Sequence, residues 1–254
     1  MNSVDFNCFT GGWPFHKVRN NRFQDIELLH KQNGISYGYI SSTDAIFYND
    51  PYEAEAELHE EIRGTAYRHV MTVNPTLPGT MDDIHRAVRD FKISGVRILP
   101  GFHDYTLDSE QVRELCRVLK SYRLPLFLTL RMEDERCTYL FHPKSVLVEA
   151  VSRFITEERE LTLLLCNIRM DELEQLREVL LKNPQVSYDS SGLKDLLFPL
   201  ERLAQFGIVD RLVYGSLAPV FCMKSTLLLI REDEIDSRLQ ERILTGESFI
   251  RNLR

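Results

Sequence analysis

Eight short apolar runs punctuate the chain, at residues 4–9, 35–41, 69–74, 95–99, 125–131, 161–167, 186–190 and 212–216. Each is brief and rich in Val, Ile, Leu, Phe or Tyr, so each reads as a strand. Between them, apolar residues recur at spacings of three and four, as on helices with one buried face. Ala54, Leu58 and Ile62 form one such stripe, Ile84, Val88 and Phe91 a second, and Val112, Leu115 and Leu119 a third. Leu173, Leu176 and Leu180 form a fourth. Strands that alternate with helices fold as right-handed βαβ units on a parallel sheet. Eight units in 254 residues match a closed (β/α)8 barrel, which typically takes about 250 residues. An open doubly wound sheet is the rival architecture. It calls for a GxGxxG turn after the first strand, and Thr10-Gly11-Gly12-Trp13 is not one.

Helix boundaries are marked too. Asp50-Pro51 with Glu53 predicts a capped start, and Gly64 a stop. Thr80 with Asp83, Asp108 with Gln111, and Asp171 with Glu174 predict three more starts. Residues 193–206 contain Pro199, which kinks or splits a helix there. Residues 220–230 are apolar almost all round, which predicts a buried helix or a surface for a second copy of the chain. No linker-like stretch divides the sequence, so residues 1–254 read as one domain.

Composition narrows the function classes. With 43% hydrophobic and 27% charged residues, the chain is not a disordered type. A net charge of −7 argues against general nucleic-acid binding. No run of about 18 apolar residues is present, so no membrane span is expected. The start MNSVDFNCFTGG lacks a basic segment followed by an apolar one, and the five Cys contain no CxxC pair. Reduced thiols in a cytoplasmic protein are the expectation.

Barrels of this kind bind ligands where the strands end. Those ends carry Asn7 and Phe9, Arg97, His103-Asp104, Thr129 and Arg131, Asn167 and Arg169, Asp189, and Gly215-Ser216-Leu217. Together with Val4-Asp5, Val73-Asn74-Pro75, Gly95-Val96-Arg97-Ile98, Leu124-Pro125, Tyr214-Gly215-Ser216 with Pro219, and the C-terminal Ile243-Leu244 and Phe249-Ile250-Arg251-Asn252-Leu253, this order resembles the amidohydrolase superfamily. The resemblance is to its amidohydrolase-related branch of metal-dependent hydrolases and decarboxylases, and it runs along nearly the whole chain.

The resemblance implies a barrel and a metal centre, and the metal motifs are degenerate. Where the family has a first-strand HxH pair, this chain has Asn7 and Phe9. The strand-five and strand-six His positions fall near Thr129 and Asn167, and the strand-eight Asp position is Leu217. The seven His are at 16, 30, 59, 69, 85, 103 and 142, and none forms HxH. A catalytic zinc needs about three imidazole, thiolate or carboxylate ligands. The expectation is therefore no metal and no cofactor.

Arg97, Arg131 and Arg169 could converge on a carboxylate or phosphate, since guanidinium binds such groups bidentately. They could instead pair with Asp5, Asp189 or Glu133 as structural ion pairs. Asn7, Trp13, Thr129 and Asn167 complete the candidate ligand-binding set. Trp13, after Gly11-Gly12, could be a mobile lid or a packed cap. His103 and Asp189 are the candidates for proton transfer; His103 could equally be a solvated loop residue beside Asp104. Asp5 is expected to order the first strand or neutralise an Arg. Cys8 has the parity opposite to Asn7 and should face the helices, inert. The acidic run Glu53, Glu55, Glu57, Glu60, Glu61 is expected to be a solvated face. Three functions stay open: a metal-free binder of a small anion, a metal-independent hydrolase or lyase acting on a carboxylate-bearing ester, lactone or amide, and a metal hydrolase with ligands elsewhere.

Overall fold

The computed structural model describes residues 2–133, 137, 142–193, 199–233 and 235–253. Eight strands follow one another around a single sheet in sequence order: β1 (Val4–Thr10), β2 (Tyr37–Ser42), β3 (Arg68–Thr72), β4 (Gly95–Ile98), β5 (Leu126–Thr129), β6 (Leu163–Cys166), β7 (Val186–Asp189) and β8 (Leu212–Val213). All neighbours pair in parallel. The ends of the sheet meet: Phe6 N–H donates to Tyr214 O at 2.8 Å, Phe9 N–H to Ala218 O at 2.8 Å and Leu217 N–H to Asn7 O at 2.7 Å. These bonds nearly close the barrel and leave little sheet edge unpaired among the described residues.

The helices are α1 (Phe23–Gln32), α2 (Pro51–Ile62), α3 (Thr80–Asp90), α4 (Pro100–His103), α5 (Glu110–Tyr122), α6 (Val148–Glu157), α7 (Met170–Lys182), α8 (Pro199–Gln205), α9 (Met223–Arg231), α10 (Ser237–Thr245) and α11 (Glu247–Asn252). No described helix is long and apolar enough to cross a membrane.

Alternation along the strands divides the core in two. Val4, Phe6, Tyr39, Val70, Phe127, Leu164, Cys166 and Val213 form an inner cluster with Phe249 of α11. The rings of Phe6, Tyr39 and Phe127 each lie within 6.2 Å of the Phe249 ring. Gly246, at φ 66°, starts α11 directly against Phe6, where a Cβ would stand 2.0 Å from the ring. The opposite strand faces, including Cys8, Ile40, Met71, Val96 and Leu128, pack with the helix stripes in a larger outer cluster. The eight strands expected from the apolar runs are all present, most ending earlier than expected. Thus Arg131, Asn167 and Ser216 belong to loops.

Helix starts differ in detail. Asp50 caps α2 by accepting from Tyr52 N–H at 3.1 Å, with Pro51 in the first turn. Thr80 does not cap α3. It is the first helical residue, and Gly79 at φ 81° precedes it. Ser109, rather than Asp108, caps α5 by accepting from Val112 N–H. Arg169 occupies the cap position of α7, where Glu172 accepts the Arg169 N–H at 2.9 Å. The helix expected at 193–206 is described from Pro199; residues 194–198 lie outside the described residues. α9 is one-sided rather than apolar all round, burying Met223, Thr226, Leu227 and Ile230 while Leu228 is 51% exposed.

One expectation about charge fails. Glu53, Glu57, Glu60 and Glu61 are exposed, but Glu55 is fully buried. It accepts from Thr72 N–H at 2.9 Å and bonds His69 Nε2 at 2.6 Å. Burial raises its carboxyl above the usual range, and His69 opposes that rise. Glu55 lies three residues before Leu58 and seven before Ile62, on the buried stripe itself, so α2 docks on β3 through a polar pin inside an apolar seam.

Candidate functional site

At the C-terminal ends of the strands, the centre of the barrel holds a positive charge. Arg97 of β4 is fully buried. Its Nε donates to Ser41 Oγ at 2.9 Å and its Nη1 to Thr129 Oγ1 at 2.7 Å. The guanidinium lies 4.4 Å from the Phe9 ring centroid and 5.4 Å from that of Phe127. Nη2 has no hydrogen-bond partner among the described residues. No carboxylate forms an ion pair with Arg97 among the described residues. Cation–π contacts recover part of the lost hydration, but a buried charged donor left unpaired costs about 2–5 kcal/mol.

Phe9 and Thr129 stand where the family resemblance puts metal ligands. Here both hold the guanidinium. An aromatic ring offers no donor for a divalent ion, the Thr129 hydroxyl is engaged, and a fixed cation at the same place repels a second. Asn167 and Leu217, at two further ligand positions, adopt left-handed backbone at φ 56° and φ 53°. For Leu that conformation costs about 1–2 kcal/mol. It places Leu217 in an apolar plug with Phe9, Trp13, Ile46, Leu99 and Met132, packed against Phe15, Val18, Phe102, Val220 and Phe221. These residues do not fit a metal of the family type.

The second buried ionisable group is Asp189, at the end of β7. It accepts from Asn167 N–H at 2.9 Å, Ser191 N–H at 3.2 Å, Ser191 Oγ at 2.8 Å and Asn7 Nδ2 at 2.5 Å. These bonds tie β1, β6 and β7 together at the mouth. Gly215 passes so close that a Cβ there would stand 2.6 Å from Asp189 Oδ2. Burial pushes the Asp189 carboxyl up from 3.8 to about 6, and its four kinds of donor hold it back from rising further. A carboxyl that binds its proton more tightly when folded stabilises the fold fully below its unfolded value. That contribution is lost as pH rises through the folded value. Unfolding free energy should therefore fall by about 2 kcal/mol between pH 4 and pH 6 from this group alone. Asp189→Asn should remove that slope in urea titrations across this range; an unchanged slope would assign it to other groups.

The three arginines do not converge. Arg131 forms an ion pair with Glu172 of α7, and its Nη1 donates to Asn167 O at 2.7 Å. Arg169 pairs with Asp171 at 3.3 Å on the outer rim. Arg131 and Arg169 thus form structural ion pairs, with acids other than Asp5, Asp189 and Glu133, whereas Arg97 forms none among the described residues. Asn167 Nδ2 returns a bond to Arg131 O at 2.9 Å, locking the β5 and β6 ends. The Asp104 carboxylate pairs with Lys144 at 2.5 Å, and the His103 ring bonds elsewhere. Its Nε2 bonds Ile46 O at 2.9 Å, Nδ1 is buried without a partner, and burial lowers its pKa. Neutral His103 therefore pins the loop after β2. Trp13 is a packed cap, 7% exposed, edge-on to Phe15, Phe47 and Phe102.

Among the described residues, Asp5 neutralises no Arg. Its Oδ1 accepts from Asn7 N–H and Ser216 N–H, both at 3.0 Å, and Oδ2 bonds His30 Nε2 at 3.1 Å. His30 Nδ1 meets the Tyr67 hydroxyl at 2.7 Å. Asp5, Cys8 and His30 place donor atoms within 4.8 Å of one another. This is a zinc-like donor set, but it lies under α1 on the outer side of β1, away from the mouth, and Asp5 and His30 satisfy each other. Cys8 faces the helices as its parity predicts, and burial raises its thiol well above the usual range. Burial also pushes Cys116 and Cys166 up to about 12. A thiol reagent on the native protein at neutral pH should modify exposed Cys222 promptly. Cys8, Cys116 and Cys166 should react only after unfolding; rapid native labelling of Cys8 or Cys166 would contradict this placement.

Two sets of residues escaped the sequence reading: the buried pairs Glu55–His69 and Asp5–His30, and the plug formers Ile46, Leu99 and Met132. The first had a signal. His30 lies four residues after Ile26 and seven after Phe23, on the buried face of α1. The plug had none, because its members come from five different loops.

No family model matches the chain, and no curated protein matches it. Solved structures do. A "putative amidohydrolase" of Staphylococcus aureus superposes with a TM-score of 0.75 at 12% identity, covering 100% of this chain and 99% of that one. A dihydroxybenzoic acid decarboxylase of Polaromonas, solved with manganese and 2-nitroresorcinol, gives 0.73 at 14%, covering 100% and 97%. A probable 2-pyrone-4,6-dicarboxylic acid hydrolase of Acinetobacter baumannii, solved with citric acid, gives 0.66 at 11%, covering 100% and 99%. At these identities the likeness is one of fold: the chain has the barrel of amidohydrolase-like hydrolases and decarboxylases.

Proposed function

With the barrel of those hydrolases and decarboxylases as its frame, we propose that the protein binds a small organic anion, a carboxylate in the first instance, at Arg97, with no metal in that position. The observation that carries this reading is the free Nη2 of a fully buried guanidinium that lacks an acidic partner. A carboxylate supplies the missing charge and acceptor together. The fixed cation stands where the family resemblance puts a Lewis acid, so the barrel keeps an anion-attracting centre without metal ligands. Citric acid in the Acinetobacter structure supports the ligand class. Entry requires the plug of Trp13, Met132 and Leu217 to part, which makes association slow.

Calorimetric titration of chelator-treated protein with benzoate, 2,6-dihydroxybenzoate and citrate tests the reading. Saturable binding of at least one acid, with none for benzylamine, is expected. No heat for any acid would overturn it.

Asp189 supports a second reading, that a bound substrate is also turned over. A carboxyl near pKa 6 is suited to general acid–base work. Its oxygens are already engaged by Asn7, Asn167 and Ser191, so this reading needs Asn7 to give up its bond. Turnover lost in Asp189→Asn with ligand binding retained would support it. The third reading, a metal hydrolase, rests on Asp5, Cys8 and His30; stoichiometric zinc in untagged protein, lost in Cys8→Ser, would favour it.

A further inference from the structure

A cavity of about 440 Å³ opens on the barrel rim beside the plug, between the loop after β1 and the turn from β8 into α9. Pockets for small ligands usually run from about 300 to 1,000 Å³, so the volume admits a small organic molecule. Its apolar lining includes Leu29, Pro219, Val220 and Met223; its charged lining is Lys17, Arg19 and Lys224, with no carboxylate. His16 also borders it and is held by Glu133 at 3.2 Å. Among the described residues no acid pairs with Lys17, Arg19 or Lys224. Some other surface cations of this chain, whose net charge is −7, do face a carboxylate, as Arg22 faces Asp25 and Arg86 faces Asp83. The nine-residue helix α9 begins at this cavity, and no side chain caps its first turn. Ser225 N–H is taken by Cys222 O at 3.0 Å, while the Met223 and Lys224 N–H groups add to the positive field there.

From this cavity, its apolar wall and its three uncompensated cations, we infer a second ligand site on the rim, for a phosphate monoester with an apolar body. The cations and the α9 amides take the dianionic head. Val220, Leu29 and Met223 take the body. Pro219 holds the turn that brings Val220 beside α9. The site is separate from Arg97, because Val18, Val220 and Phe221 belong both to the cavity wall and to the plug that covers the barrel centre. The inference stands whether or not Arg97 binds a carboxylate.

The test uses phenylphosphonate, which cannot be hydrolysed, titrated by calorimetry into the whole protein. Saturable binding is expected, tighter than for inorganic phosphate by about 10-fold from burial of the ring. Lys17→Ala/Arg19→Ala/Lys224→Ala changes only exposed side chains. It should weaken phenylphosphonate by about 30-fold, with carboxylate binding at the barrel centre unchanged. Val220→Asp should weaken it as well, through like charge at the wall. Arg97→Met should leave it unchanged. Weaker affinity as salt rises from 50 to 300 mM would follow from screening. Phenylphosphonate binding that survives the triple substitution, or is lost in Arg97→Met, would overturn the rim site, as would the absence of saturable binding.

Discussion

Asp5→Ala should lower the unfolding free energy by about 3–5 kcal/mol, the cost of breaking a buried charged network on one side. Asp5 joins three elements at once. It accepts backbone N–H groups of Asn7 in β1 and Ser216 after β8, and it bonds His30 of α1. The carboxylate is wholly buried, so water cannot take its place. Its removal strands two amides and an imidazole nitrogen at the seam where the barrel closes. Each orphan donor costs about 1–3 kcal/mol. Asp5→Asn keeps one acceptor oxygen and should cost less than half as much. Guanidinium unfolding followed by tryptophan fluorescence measures both, since Trp13 is the sole tryptophan. A loss below about 1 kcal/mol for Asp5→Ala would show that the seam does not depend on this residue.

Arg97→Met should separate function from stability. Carboxylate affinity should fall about 30- to 4,000-fold, the equivalent of about 2–5 kcal/mol for a buried charge pair cut on one side. The fold should hold or gain, because replacing a buried charge with an apolar side chain of similar volume is often neutral or stabilising by about 1–4 kcal/mol. Methionine would also pack well against Phe9 and Phe127. Arg97→Lys keeps the charge but loses the planar fork and should bind with intermediate strength. A residue kept only for folding would behave in the opposite way, with a lower melting temperature and unaltered binding.

The barrel is legible in the sequence because its signals are local. Each strand is an apolar run, each helix a stripe, and eight repeats of that alternation leave few topologies. Asp50-Pro51 shows how far such signals reach, for a cap depends on residues within one turn. The site is less legible because its determinants are distant in sequence. That Arg97 is a mouth residue follows from its place in β4. That its companions are Ser41, Thr129 and Phe9, rather than Arg131 and Arg169, depends on side-chain direction across four strands. Arg131 faces α7 because β5 ends at Thr129, two residues before it, and releases the chain. Glu55 shows a different limit. Its charge suggested solvent, while its spacing from Leu58 and Ile62 placed it inside, and the apolar seam prevailed because His69 and Thr72 were there to satisfy it.

The most direct measurement is a crystal structure of metal-depleted protein soaked with 4-bromobenzoate, with data collected at the bromine edge. An anomalous peak is expected inside the barrel, with a carboxylate within hydrogen-bond distance of Arg97 Nη2, about 2.7–2.9 Å away, and with Trp13 and Leu217 displaced. Bromine found only outside the barrel, or a metal ion held by protein donors at the position of the guanidinium, would contradict carboxylate binding at Arg97.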